Sequence, residues 1–84
     1  MDNTAKQQLR AFLKETLEGH GDHKDFSDNE ALFSSGRLDS FSMMNLVMHL
    51  EETLGIDFSN LEFDVSLVDS VNDIERLADE QQAR

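Results

Sequence analysis

The chain has 84 residues and no cysteine, so it makes one domain, 1–84, with a modest core, and has no disulfide framework or thiolate metal site. Eighteen acids against seven bases give a formal net charge of −11. That balance argues against nucleic acid, because a phosphate backbone is held by basic side chains that displace counterions.

An anionic membrane surface is disfavoured for the same reason. Between Asp25 and Glu75 the only lysine or arginine is Arg37, so basic protein surfaces are the natural partners. No apolar run approaches the ~20 residues that cross a bilayer. Met1 to Leu17 is amphipathic and lacks the apolar heart of a signal peptide. A soluble, cytoplasmic monomer is expected.

The periodicity predicts a first helix over Thr4–Glu18. Leu9, Phe12, Leu13 and Leu17 recur at helical spacing. Thr4 and Gln7 read as a capping box, and Gly19 as the stop. Gly19 to Asp39 is a long connection, which in a small domain is usually functional. Phe26, Leu32 and Phe33 are expected to pin it, with a short helical turn around Asn29–Phe33. Gly36 supplies a position free to take positive φ.

A second helix is predicted over Ser40–Leu54, capped by Asp39 and stopped by Gly55. Met43, Leu46, Val47, Leu50 and Leu54 form its expected core stripe. Ser42, Asn45, His49 and Glu52 form its polar side, and Phe41, Met44 and Met48 lie between. Ser59 with Glu62 predicts a short helix around Asn60–Val65. Ser70 with Asp73 predicts a last helix with Val71, Ile74, Leu77 and Ala78 inward. Gln81 to Arg84 is expected to fray. The fold class is therefore all-α: a small bundle of three main helices and one short one.

Ser40 is the residue that invites a chemical reading. It sits at a loop-to-helix junction, preceded by Asp39 and followed by the bulky Phe41. No histidine, lysine or second serine stands at a spacing that would activate it, and no Gly-x-Ser-x-Gly elbow is present. The chain is thus not read as an enzyme. Ser40 is either a plain helix-capping serine or a residue that another enzyme modifies.

The surrounding residues favour modification. Leu32-Phe33-Ser34-Ser35-Gly36-Arg37-Leu38-Asp39-Ser40 resembles the approach to the attachment serine of freestanding acyl and peptidyl carrier proteins. Leu46-Val47-Met48 and Leu50-Glu51-Glu52 resemble the body of their second helix. Gly55-Ile56-Asp57 and Glu62-Phe63-Asp64 look like carriers of aminoacyl groups, including D-alanyl carriers. The resemblance spans about Ala31 to Asp79.

It implies an acyl-carrier-like bundle with 4′-phosphopantetheine on Ser40, beside Asp39. The arm would hold acyl or aminoacyl groups as thioesters. The implied partners are a phosphopantetheinyl transferase, a loading ligase, and acyltransferases or synthases with basic docking surfaces. By the same carry-over, Phe41, Met44, Met48, Glu51 and Glu52 would meet those partners. Position 41 is Phe where Leu is usual, and Ser42 and Asn45 stand where acids are common. The first half of the helix is less acidic for it, which favours a dedicated partner set. The reading of another class is an unmodified acidic helical adaptor for a basic protein surface.

Two further patterns are weaker. In lipid carriers the acyl chain folds into the bundle, where Leu46, Leu50, Phe58, Leu67 and Ile74 would line it; ordinary core packing is the expected role of these residues here. His20, Asp22 and His23 are spaced too loosely for a metal site, and Asp22–Glu30 fails the calcium-loop pattern at Lys24. No metal is expected, and His49 is expected to be solvated.

Overall fold

The computed structural model describes residues 1–59 and 61–82. Among the described residues, three helices appear in chain order: α1 (Asn3–Gly19), α2 (Ser40–Leu54) and α3 (Val71–Gln82), with a 3-10 turn at Val65–Leu67 ahead of α3. The all-α expectation is met. α1 packs against both α2 and α3, and α3 against the 3-10 turn. No helix among the described residues is long and apolar enough to cross a membrane.

α1 buries Leu9, Leu13 and Leu17 almost completely. Its start differs from the expected capping box. Asp2 caps the helix by accepting from the amide of Ala5 at 2.7 Å. A carboxylate satisfies first-turn amides as well as a hydroxyl does, so the helix begins before Thr4. Gly19 is its last residue rather than its stop. The chain leaves through His20 to Gly21, which takes φ +80°.

The connection from His20 to Asp39 contains turns but no helix, so the turn expected at Asn29–Phe33 does not form. Its backbone is claimed from outside. Leu32 N–H donates to Asp69 O at 2.8 Å, and Asn72 N–H donates to Asp28 O at 2.9 Å. The Asp69 carboxylate accepts from the amides of Phe33 and Ser34 at 2.8 and 3.1 Å. Phe26, Leu32 and Leu38 are buried beneath these bonds, while Phe33 packs half-buried at the edge.

Two arginines hold the rest of the connection. Arg37 donates to both carboxylate oxygens of Asp22, to Glu30 at 2.7 Å, and to the carbonyls of Lys24 and Asp25. Asp22 and Glu30 raise its pKa above the ordinary arginine value. Arg10 pairs with Asp28, donates to Phe26 O at 2.9 Å, and lies 4.6 Å over the Phe26 ring.

α2 ends where Gly55 adopts φ +64° and its N–H returns to Leu50 O. Its inward line is Ser42, Leu46 and Leu50, four residues apart. Ser42 is 3% exposed and so does not belong to the polar side. Met43 and Leu54 are only half-buried, at the margin of the core rather than in it, and Val47 is half-buried too. His49 is not solvated as expected. It stacks on Phe12 with ring centroids 4.1 Å apart, and burial pushes its imidazole below the ordinary histidine value against an opposing pull from Glu52.

The short helical turn lies later than expected. Ser59 is drawn back to the Asp57 carboxylate through its amide and hydroxyl. Leu61–Asp64 is not helical, and Asp64 caps the 3-10 turn by accepting from Ser66 N–H at 2.9 Å. Asn60 lies outside the described residues. Ser70 caps α3 as expected, its Oγ accepting from Asp73 N–H at 3.1 Å. Val71, Ile74, Leu77 and Ala78 are all buried. Gln81 and Gln82 belong to α3 rather than to a frayed tail, and the Gln81 amide clasps the backbone of Asp57 at 2.8 Å in both directions. The remainder of that expectation, Ala83 and Arg84, lies outside the described residues.

Candidate functional site

Ser40 is the first residue of α2 and is exposed. Three features put it there. Leu38 is buried, and its N–H donates to Leu32 O at 2.9 Å, which anchors the approach. Gly36 has φ +86°, a conformation that side chains with a Cβ rarely adopt, and its N–H closes a turn on Phe33 O at 3.1 Å. Asp39 is extended and caps the helix, its Oδ1 accepting from Ser42 N–H at 2.9 Å. That amide holds the Asp39 carboxyl below the usual carboxylate range.

The first turn of α2 is also tied to the end of α1. His20 Nε2 and Ser42 Oγ share a hydrogen bond of 2.9 Å, and the same nitrogen stands 4.0 Å from Asp39 Oδ1. Protonated His20 would therefore face an acid, and neutral His20 is still held by the hydroxyl. Both neighbours of Ser40's turn are fixed while Ser40 itself stays open. A helix N-terminus also presents amides and a dipole that favour a nearby anion, such as a phosphodiester on that oxygen.

The remaining residues singled out from the sequence fall on one face. Phe41 is 78% exposed, Met44 65% and Met48 55%. Glu51 and Glu52 are exposed one turn further along α2. These exposures resolve the choice between core and surface for Phe41, Met44 and Met48 in favour of surface.

Two neighbouring apolar hollows form a broken groove beside α2. The first, about 450 Å³, is lined by Phe33, Ser34, Leu38, Asp39, Ser40, Met43 and Val65. Met43 also walls the second, about 390 Å³, with Met44, Val47, Met48, Phe58 and Phe63. Phe58 and Phe63 meet edge-on, 5.9 Å between centroids. Leu46, Leu50 and Ile74, by contrast, are sealed in the core at 0–1% exposure. Of the five residues considered for an internal acyl cavity, only Phe58 lines the groove.

The loop histidines do not converge on a site. His20 turns to Ser42, Asp22 is held by Arg37, and His23 Nδ1 lies 3.7 Å from Glu18. Among the described residues, no three histidine, cysteine or acidic side chains are grouped to hold a metal ion.

Sequence reasoning missed His20 as a support of the Ser40 turn, because its partner lies 22 residues away. It also missed Val65 and the groove-lining role of Phe63. The available signal was apolar residues standing among Glu62, Asp64 and Ser66 without helical spacing.

A family model described as a phosphopantetheine attachment site matches residues 7–79. No curated protein and no solved structure matches the chain.

Proposed function

Since this chain belongs to the phosphopantetheine attachment-site family, whose members carry the group covalently on a serine, we propose that Ser40 is the attachment residue. The observation that carries this reading is Ser40's exposure at the α2 N-terminus, beside the capped Asp39.

The group supplies a terminal thiol on a flexible arm, on which acyl or aminoacyl loads are held as thioesters. The chain's own part is presentation. Gly36, Leu38 and Asp39 hold the serine outward for an incoming transferase. The amides of the first turn favour the phosphodiester charge. Asp39 caps that turn and so keeps its geometry whether or not the serine is modified.

The protein is accordingly a carrier and not a catalyst. Its partners are a phosphopantetheinyl transferase and the enzymes that load and unload the arm. Phe41, Met44 and Met48 offer them apolar contacts, flanked by Glu51 and Glu52, which suit basic docking surfaces. Methionines adapt to differing partner shapes, as a carrier that visits several enzymes requires.

The test is direct. Apo-protein is incubated with coenzyme A and a broad-specificity phosphopantetheinyl transferase, and intact mass is measured. One adduct on the wild type and none on Ser40→Ala is the expected result. A folded wild type that stays unmodified would overturn the reading and leave an acidic adaptor in its place.

A further inference from the structure

Resting on the carrier role proposed above, we infer that His20 is a positioning residue for the loading of Ser40, fixing the first turn of α2 from the end of α1 through the hydroxyl of Ser42. Ser40 needs such a hold. It is the first residue of α2, where the amide has no intrahelical acceptor and a helix frays most easily. Local bonds hold that turn through Asp39, which accepts from Ser42 N–H at its carboxylate and from Met43 N–H at its carbonyl. The His20 bond differs in kind, because it reaches the turn from another element. His20 is itself fixed: its N–H donates to Leu17 O at 3.0 Å, and Leu17 is sealed in the core. Its Nε2 meets Ser42 Oγ at 2.9 Å. Ser42 is buried, so losing the ring leaves that hydroxyl short of a partner.

The direction of the bond follows from a proton count. A serine hydroxyl has one proton to donate. The Ser42 amide, and then its hydroxyl, hold the Asp39 carboxyl below the usual carboxylate range, as donors to it do. Oγ is left to accept, and Nε2–H is the donor. That proton is present in the neutral Nε2 tautomer and in the imidazolium alike, so the tie survives titration of the ring. An ion pair with Asp39, 4.0 Å from the same nitrogen, would exist only in the protonated ring. Glu15 shares one hollow with His20, and Asp22 to Asp25, Glu30 and Arg37 share another. These groups bear on when the ring gains its second proton, not on the Nε2–H bond.

The test follows transfer of phosphopantetheine from coenzyme A to the apo-protein by a broad-specificity transferase, with kcat and KM separated. His20→Ala and Ser42→Ala should each lower kcat about tenfold and leave KM within about twofold, because the outer face of α2 is untouched. The double variant should be no slower than either single one, since the two residues form one link. His20→Gln, whose amide N–H can replace Nε2–H, should restore most of the rate. The ratio of wild-type to His20→Ala rates should stay level from about pH 5.5 to 8, across the ordinary histidine range. Phe12→Leu is the stability control. It breaks a second α1–α2 contact, the stack on His49, and should lower Tm while leaving kcat unchanged. In the apo-protein without transferase, hydrogen exchange of the Ser42 and Met43 amides should quicken several-fold in His20→Ala but not in Phe12→Leu.

A folded His20→Ala protein with wild-type kcat, or one that loses only in KM, would overturn the inference. Ser42→Ala carries the same comparisons if His20→Ala does not fold. Equal kcat losses in His20→Ala and Phe12→Leu would also overturn it, by making the effect one of general stability. A wild-type advantage that vanishes as pH rises would do so too, by putting an ion pair with Asp39 in place of the Ser42 bond. Unchanged amide exchange in a protein that is loaded refutes this inference alone. A wild type that takes no phosphopantetheine refutes the carrier reading itself, an outcome distinct from these.

Discussion

The connection between α1 and α2 and the outer face of α2 treat charge in opposite ways. In the connection, Arg37 is surrounded by Asp22, Glu30 and two carbonyls, and Arg10 is held by Asp28 and Phe26 O. Charges there are matched and hold a 20-residue segment that has no helix of its own. From Ser40 to Leu54 there is no lysine or arginine, and Glu51 and Glu52 stand exposed beside Phe41, Met44 and Met48. Matched charge fixes a shape, whereas one-signed charge next to apolar groups steers an encounter and then supplies contact. One short chain keeps the two uses on separate surfaces.

If this division is right, substitutions on the two sides should separate in size and in kind. The largest loss should come from the core that both regions share. Leu50→Ala, at 0% exposure, should cost about 3 kcal/mol in urea unfolding. Asp69→Ala should follow, at about 1–3 kcal/mol, because the amides of Phe33 and Ser34 lose their buried acceptor.

Asp69 also sets an acid limit. Burial pushes its carboxyl up, but the bonds from Ser34, Phe33 and Leu32 outweigh that and bring it below the ordinary value of 3.8. Asp22, Asp28, Asp39 and Asp64 are depressed as well. A carboxyl whose pKa is lower in the folded state contributes stability that is complete above pH 3.8 and is lost as pH falls through the folded value. Tm measured against pH should therefore drop on the acid side, and the drop should be shallower in Asp69→Ala.

Smaller again is Arg37→Gln, which should lower Tm measurably, whereas Arg76→Gln, at an exposed site whose ion pair is a long one to Asp73, should not. An equal response from the two would break the contrast between the matched connection and the rest of the surface. The smallest stability effect belongs to the α2 face. Met44→Ala with Met48→Ala should change stability by less than about 0.5 kcal/mol per site, apart from some change in helix propensity. The same pair should raise the transferase KM by about tenfold, the loss of one modest contact. A pair that unfolds the protein would place those side chains in the core and erase the distinction.

The parts legible from the sequence are those decided by nearby residues. Asp39 as cap, Gly36 and Gly55 at positive φ, and the bounds of α2 each follow from chemistry within a few positions. The exposure of Ser40 follows from them. The parts not legible depend on residues distant in the chain. Ser42 reads as polar surface until His20 is brought against it from the end of α1. His49 reads as solvated until Phe12 stacks on it. The short helical turn falls later than the Ser59–Glu62 pattern predicts, because Asp57 takes the bonds of Ser59 and Asp64 caps the turn instead. The groove is not legible either, because its second wall is an irregular segment, where no period marks which side chains face inward.

Arg37 has one more consequence. It is the basic side chain nearest in sequence to Ser40, and its guanidinium is turned away into the Asp22–Glu30 clamp. A nucleotide-bearing donor that approaches the serine brings a pyrophosphate, and this guanidinium is not free to offset it. On the proposal that Ser40 is the attachment residue, Arg37 contributes nothing to that offset, and the visiting enzyme's own positive charge gains in importance.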